Sequence, residues 1–257
     1  MINFVSVTNI GYVRAVNEDS AYTSSLQQGY TLGIVADGMG GHQAGDTASR
    51  LAVETISRDL QNLDAGLSLD RCAILLRDAI LHANSVIYRA AADNPQLHNM
   101  GTTVVAVLLS STGGVIGHIG DSRAYKFKDG VMTQLTEDHT LVNELVKNNQ
   151  ISEAEASMHP RRNVIMRALG TDAEVEVDLY PVALEEKELL LVCSDGLSSY
   201  VPQEQMTLVL GMAGLSLQER ADKLVKLALD AGGDDNITVV LLEQPEAPVS
   251  GIKEWSL

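Results

Sequence analysis

Four aspartates in this chain stand where a carboxylate is expensive, at the ends of apolar runs that read as strands. They are Asp37 in Ile34-Val-Ala-Asp37-Gly38, Asp121 in Gly117-His-Ile-Gly120-Asp121, Asp195 in Leu190-Leu-Val-Cys-Ser-Asp195-Gly196, and Asp235, which opens Asp235-Asn236-Ile-Thr-Val-Val. Carboxylates leaving a core cost free energy unless positive charge compensates them, and like charges gathered at one sheet edge raise one another's pKa. A divalent cation removes that cost. Oxygen donors without clustered His or Cys select a hard ion, so Mg²⁺ or Mn²⁺ is expected rather than Zn²⁺. Each Asp-Gly alone is ordinary turn chemistry; the four together point to a cation site, although the sequence does not bring the strand ends together. The run Asp37-Gly38-Met39-Gly40-Gly41-His42 suits either a backbone that comes close to another group or a flexible strand-to-helix loop.

The elements that must position these residues are read from hydrophobic periodicity. Segments rich in Val, Ile, Leu and Tyr, bounded by turn residues, predict strands at Phe4 to Ile10, Tyr30 to Ala36, Thr102 to Leu109, Val115 to Ile119, Ala124 to Phe127, Val175 to Leu179, Glu188 to Cys193 and Ile237 to Leu242. Asp129-Gly130 and Gly113-Gly114 are hairpin signals, which favour antiparallel pairing. A helix is expected from about His42 to Leu60. A second carries one apolar stripe through Leu69, Cys72, Leu75, Leu76, Ala79, Ile80, Ala83, Val86 and Ile87. A third spans Leu217 to Leu229, with Ser216 and Glu219 as a capping box and Gly232 as the stop. Helices in blocks between strand runs predict an α+β sandwich, not a wound βαβ sheet.

At 257 residues and 45% hydrophobic composition the chain can bury one large core. One domain is expected over residues 1–243, with a polar segment at about 138–167 and a loosely held tail over 244–257 that includes Trp255. No apolar run approaches the ~20 residues of a membrane span, so the expected location is the cytoplasm, with no membrane partner. A formal charge of −16, from 34 acidic and 18 basic residues, repels nucleic-acid backbones and argues against a nucleic-acid partner. Cys72 and Cys193 each sit in an apolar run and are read as buried thiols.

The chain resembles the PPM or type 2C serine/threonine protein phosphatases, particularly their compact bacterial members, over nearly its whole length. The matching pieces are Gly11-Tyr-Val-Arg14-Ala-Val-Asn17-Glu18-Asp19, Val35-Ala-Asp37-Gly38-Met-Gly-Gly41-His, Gly101-Thr102-Thr103, Gly120-Asp121-Ser122-Arg123, Ser194-Asp195-Gly196-Leu197 and Asp234-Asp235-Asn236-Ile237-Thr238. The resemblance implies a four-layer α-β-β-α sandwich of two antiparallel sheets flanked by helices. It implies metal-dependent hydrolysis of phosphoserine and phosphothreonine on proteins, two tightly bound Mg²⁺ or Mn²⁺ ions and a weaker third. Asp37 would bridge two metals, the Gly38 carbonyl would complete one of them, and Asp195 and Asp235 would hold the other. Asp121 and Asp195 would form the third site, Glu18 and Asp19 would act through metal-bound waters, Asn236 would brace the site and Arg14 would clamp the substrate phosphate. Arginine suits that task because its guanidinium forms two parallel bonds to phosphate oxygens and keeps its charge; the bland alternative is a surface salt bridge.

Met39 departs from many eukaryotic relatives, which carry a histidine proposed to protonate the leaving group. A metal-bound water is expected in that role, with His42 as the nearest imidazole. Between Asp138 and Arg167, bacterial relatives carry a mobile flap; here Arg161 and Arg162 could reach phosphate or acidic peptide residues, or be solvated surface. Expected partners are phosphorylated proteins and a cognate Ser/Thr kinase system, with the chain acting as a monomer. Readings from other classes are a non-catalytic phosphoprotein-binding module and a two-metal nuclease; a small-molecule phosphatase would share the chemistry.

Overall fold

A computed structural model of the chain describes residues 2–40 and 44–246. Its elements run β1 (Asn3–Asn9), β2 (Asp19–Ser25), β3 (Thr31–Met39), α1 (Ala44–Asp59), α2 (Leu69–Asp93), β4 (Gly101–Thr102), β5 (Val104–Ser110), β6 (Gly113–Ile119) and β7 (Arg123–Lys128). They continue with β8 (Val131–Gln134), α3 (Leu141–Lys147), α4 (Glu153–Ser157), β9 (Asp178–Val182), β10 (Leu189–Cys193), α5 (Asp195–Ser198), α6 (Gln203–Leu210), α7 (Leu217–Asp230) and β11 (Ile237–Glu243).

The strands form two antiparallel sheets, one in the order β1-β11-β10-β7-β8 and the other β2-β3-β5-β6-β9, with β4 added on β3. Side chains alternate between the faces of a strand, so a strand covered on both faces needs an unbroken apolar run. β10 shows the rule: Leu190 and Val192 enter the layer between the sheets, while Leu189, Leu191 and Cys193 face the helices. The layer between the sheets joins Val35, Val105, Val107 and Ile116 from one to Leu190, Val192, Val240 and Leu242 from the other. Outside, α1 and α2 cover the β3-β5-β6 face with Ala48, Ala52, Ile56, Leu76, Ile80 and Ile87. On the opposite side, α6 and α7 supply Met206, Val209, Leu224, Val225 and Ala228. The result is the α-β-β-α sandwich expected from the sequence.

Local rules explain where several elements begin and end. Ser216 and Glu219 form a reciprocal capping box at α7, and Ser152 and Glu155 form one at α4. After α7, Gly233 N–H donates back to the Ala228 carbonyl while Gly232 and Gly233 adopt positive φ, so the stop occupies both glycines. Asp129 and Gly130, with φ of 49° and 79°, turn β7 into β8. The β5–β6 hairpin pairs Ser110 with Gly113, which puts its turn on Ser111-Thr112 and leaves Gly113 and Gly114 inside β6. The strand expected at Thr102 to Leu109 is broken at Thr103, and the one expected at Val175 to Leu179 lies at Asp178–Val182. β2 and α6 were not anticipated. His42 and Trp255, and most of the expected tail, lie outside the described residues, and no helix among those described is long and apolar enough to cross a membrane.

Truncating Leu190, fully buried between the sheets, should cost about 2–5 kcal/mol, whereas the same change at exposed Leu208 should cost less than about 0.5 kcal/mol. Urea unfolding of Leu190→Ala and Leu208→Ala checks this; equal losses would contradict the layer assignment.

Candidate metal centre

Five separate segments deliver six acidic side chains to one end of the sandwich. β2 begins with Asp19, which lies opposite Asp37 in the antiparallel register with β3. Asp121 follows β6, Asp195 opens α5 directly after β10, and Asp235 precedes β11. Glu18 comes from the loop before β2. Asp19 and Asp121 are buried, while Asp37, Asp195 and Asp235 are half-buried.

The supports are neutral hydrogen-bonding groups. Asp37 is held through its backbone: its N–H donates to Thr103 Oγ1 at 3.0 Å, and its carbonyl accepts from the Thr102 hydroxyl at 2.8 Å and Thr103 N–H at 2.9 Å. This is why the strand breaks at Thr103. Ser194 Oγ donates to Asp19 Oδ2 at 2.7 Å and accepts from Thr238 N–H at 3.0 Å, tying β2 to β10 and β11. Asn236 gathers the loop ahead of β2, accepting from Glu18 N–H at 2.8 Å and donating to the carbonyls of Ile10 at 2.9 Å and Val16 at 3.1 Å. A Cβ at Gly38 would run into the Gly45 and Glu18 backbones, so only glycine fits there.

Burial and mutual repulsion set the protonation of the group. Burial, followed by the charges of Asp19, Asp195, Asp121 and Asp235, raises the Asp37 carboxyl well above its ordinary value. Burial and its neighbours' charges push Asp19 to about 7, burial and then the Asp195 charge push Asp121 to about 7, and burial and then the Asp235 charge push Asp195 to about 6. Asp19 Oδ1 is buried without a hydrogen-bond partner. Orphaned carboxylate oxygen, repelling neighbours and an all-oxygen donor set fit a hard divalent cation. Among the described residues no group of three or more His, Cys, Asp or Glu side chains is disposed to hold an ion by itself.

Arg14 is half-exposed and pairs with the centre: Nη2 lies 2.8 Å from Asp235 Oδ2, and Nε donates to the Asp234 carbonyl at 3.4 Å. The salt bridge is thus present, and a cation at Asp235 would share that carboxylate with the guanidinium. A cavity of about 540 Å³ runs from Asp121 and Asp195 under the α3–α4 segment to Arg162. Arg161 and Arg162 are exposed on that segment. His42 lies outside the described residues, so its place relative to Met39 is not part of this geometry.

Several supports had no role assigned from the sequence. Ser194 and Thr103 lie inside quoted motifs, but only the three-dimensional pairing shows what their hydroxyls hold. Arg123 makes a two-pronged pair with Asp138, with Nε 2.9 Å from Oδ1 and Nη2 2.6 Å from Oδ2, tying the Asp121 turn to the root of the 138–167 segment. Behind that turn His118 is fully buried, with neither ring nitrogen in a well-formed hydrogen bond and its ring centroid 4.7 Å from that of His139.

The family model described as "Protein phosphatase 2C" matches residues 12–229. The serine/threonine phosphatase stp of Listeria monocytogenes is 41% identical over 237 residues, covering 92% of this chain and 94% of that protein. Among solved structures, serine/threonine phosphatase Stp1 from Staphylococcus aureus aligns with a TM-score of 0.89 at 34% identity, covering 95% of both chains. The catalytic domain of serine/threonine protein phosphatase PstP, in complex with two manganese ions, aligns with a TM-score of 0.84 at 36% identity, over 95% of this chain and 99% of that one.

Burial, and then the neighbouring His139, lower the His118 pKa from 6.5 to about 3. The unfolded ring takes up a proton near 6.5 and the folded ring stays neutral to about 3, so stability from this group is lost as pH falls through that window. Between pH 7 and pH 5 the loss should be about 2 kcal/mol. Urea unfolding at both pH values should show His118→Phe gaining about that much on the wild type at pH 5; a difference that does not change with pH would contradict the burial of an uncharged ring.

Proposed function

Because the chain belongs to the protein phosphatase 2C family, we propose that the carboxylate pocket is its catalytic centre, with each side chain in the role its position suggests. The enzyme is a metal-dependent protein serine/threonine phosphatase that uses Mn²⁺ or Mg²⁺ and acts on phosphoproteins. Asp37, the Gly38 carbonyl, Asp195 and Asp235 are the candidates to hold two cations, and Asp121 with Asp195 a weaker third. When bound, such cations supply charge that activates a water and neutralises phosphate oxygens in an in-line displacement.

The chain's own residues do the rest. Glu18 and Asp19 accept hydrogen bonds from waters that reach the pocket and so orient them. Asn236 keeps the Ile10–Glu18 loop, and with it Arg14, over the carboxylates. A guanidinium has five N–H groups, and the contacts of Arg14 with Asp234 and Asp235 use two. The remainder can take a phosphate dianion in fork geometry, which neutralises substrate charge beside an acidic site. The Met39 thioether carries no proton, so the departing seryl or threonyl oxygen takes its proton from water or from another side chain.

The observation that carries this reading is the convergence of Asp19, Asp37, Asp121, Asp195 and Asp235, four of them with carboxyl pKa values raised by burial and by one another. The reading also takes residues 1–243 as one catalytic domain, acting as a cytoplasmic monomer opposite a Ser/Thr kinase. Its charge of −16 disfavours nucleic acid and anionic lipid as partners.

Turnover of phosphothreonine, phosphoserine and phosphotyrosine peptides with Mn²⁺, Mg²⁺ or chelator tests the reading. Activity on the first two should vanish with chelator, and Asp37→Asn should lower kcat by more than about 100-fold. Arg14→Ala should act mainly by raising KM, about tenfold. Full activity of Asp37→Asn would overturn the assignment of the centre.

A further inference from the structure

The backbone that presents Asp121 is gripped from behind by one imidazole. Gly120 N–H donates to His139 Nδ1 at 3.0 Å, and the His139 backbone N–H donates to the Gly120 carbonyl at 2.8 Å. The ring is buried, and its Nε2 lies 3.0 Å from Asp178 Oδ2. Burial lowers the His139 pKa, so the ring is neutral near pH 7 and carries one proton. A neutral ring that accepts at Nδ1 must carry its proton on Nε2, and Asp178 is the acceptor facing that nitrogen. Asp178 is itself held at the start of β9, opposite His118 of β6, with Arg167 Nη1 3.0 Å from Oδ1 and the Tyr180 hydroxyl 3.3 Å from Oδ2.

We propose that Asp178 is a positioning residue for the Asp121 cation site, acting through the His139 ring on the Gly120–Asp121 backbone. The inference rests on the reading of Asp121 as a cation ligand. Without a carboxylate at Nε2 the ring populates its other tautomer, whose Nδ1–H points at Gly120 N–H. Two donors then face each other, and the turn must move. It cannot move freely: Gly120 has φ of +110°, and Thr103 packs against the position its Cβ would occupy. Outer hydrogen-bond partners that orient metal ligands are commonly worth about 10–100-fold in metal affinity.

Three variants of the full chain, Asp178→Ala, Asp178→Asn and Asp121→Asn, test this by calorimetric titration with Mn²⁺ and by ¹⁵N NMR of the histidine rings. Asparagine keeps an acceptor for Nε2–H. His139 should therefore be the Nε2–H tautomer in the wild type and in Asp178→Asn, and a mixture in Asp178→Ala. The weakest Mn²⁺ step should weaken about tenfold or more in Asp178→Ala and stay within about threefold of wild type in Asp178→Asn, with the tighter steps unmoved. Should Asp178→Ala not fold, Asp178→Ser, too short to reach Nε2, serves the same comparison. An unchanged weakest step in Asp178→Ala, or a uniform loss across all steps with a lowered thermal midpoint, would overturn the proposal. If Asp121→Asn removes the weakest step while Asp178→Ala does not, the proposal alone fails. If Asp121→Asn leaves every step intact, the reading of Asp121 fails and takes the proposal with it.

Discussion

Repulsion among acidic side chains at one end of the sandwich sets the terms for everything around them. Asp19, Asp37, Asp121 and Asp195 all have carboxyl pKa values raised by burial and by neighbouring negative charge. Their protons are held more tightly in the folded chain than in the unfolded one. The stability tied to the protons of Asp19 and Asp121 is present below about pH 4 and is lost as pH rises towards about 7. At neutral pH the fold therefore stores an electrostatic cost at this site, and a divalent cation is the ligand that offsets it most directly.

The surrounding architecture is built to keep that cost in place. Cationic side chains close to the carboxylates would relieve the repulsion and weaken the attraction for metal. The groups that hold Asp19 and Asp37 are instead hydroxyls and backbone N–H groups, from Ser194, Thr102 and Thr103. Asn236, a neutral amide, closes the loop that carries Glu18. Arg123, the strong cation nearest the Asp121 turn, is committed to Asp138. Arg14 is the exception, and its half-exposed place at the rim suits a group that meets an incoming anion. These devices depend on two sheets whose interlocked apolar faces fix the strand ends relative to one another.

How much of this was legible in the sequence follows from what each element buries. β5, β10 and β11 are covered on both faces, so their runs Val104–Ser110, Leu189–Cys193 and Ile237–Glu243 are nearly all apolar and plain to read. β2, Asp-Ser-Ala-Tyr-Thr-Ser-Ser, is an edge strand that pairs, among the described residues, only with β3; its hydroxyl-rich sequence hides a strand that tertiary pairing creates. β9 lies at Asp178–Val182, past the expected Val175 to Leu179, and takes in Pro181, a residue that strands tolerate at a sheet edge. The aspartates at the strand ends were legible because charge beside an apolar run is unusual. Their hydroxyl and amide supports were not, since Ser, Thr and Asn fit any loop until distant segments are brought together. His139 and Asp178 lie 39 residues apart and carry no local signal of their pairing.

The central claim is that these carboxylates converge to bind cations. Diffraction at the manganese absorption edge, from crystals grown with Mn²⁺, tests it most directly. The account predicts anomalous peaks among the side-chain oxygens of Asp37, Asp195 and Asp235, with a weaker peak at Asp121. Well-ordered carboxylates with no anomalous density within ligand distance of Asp37 would contradict it.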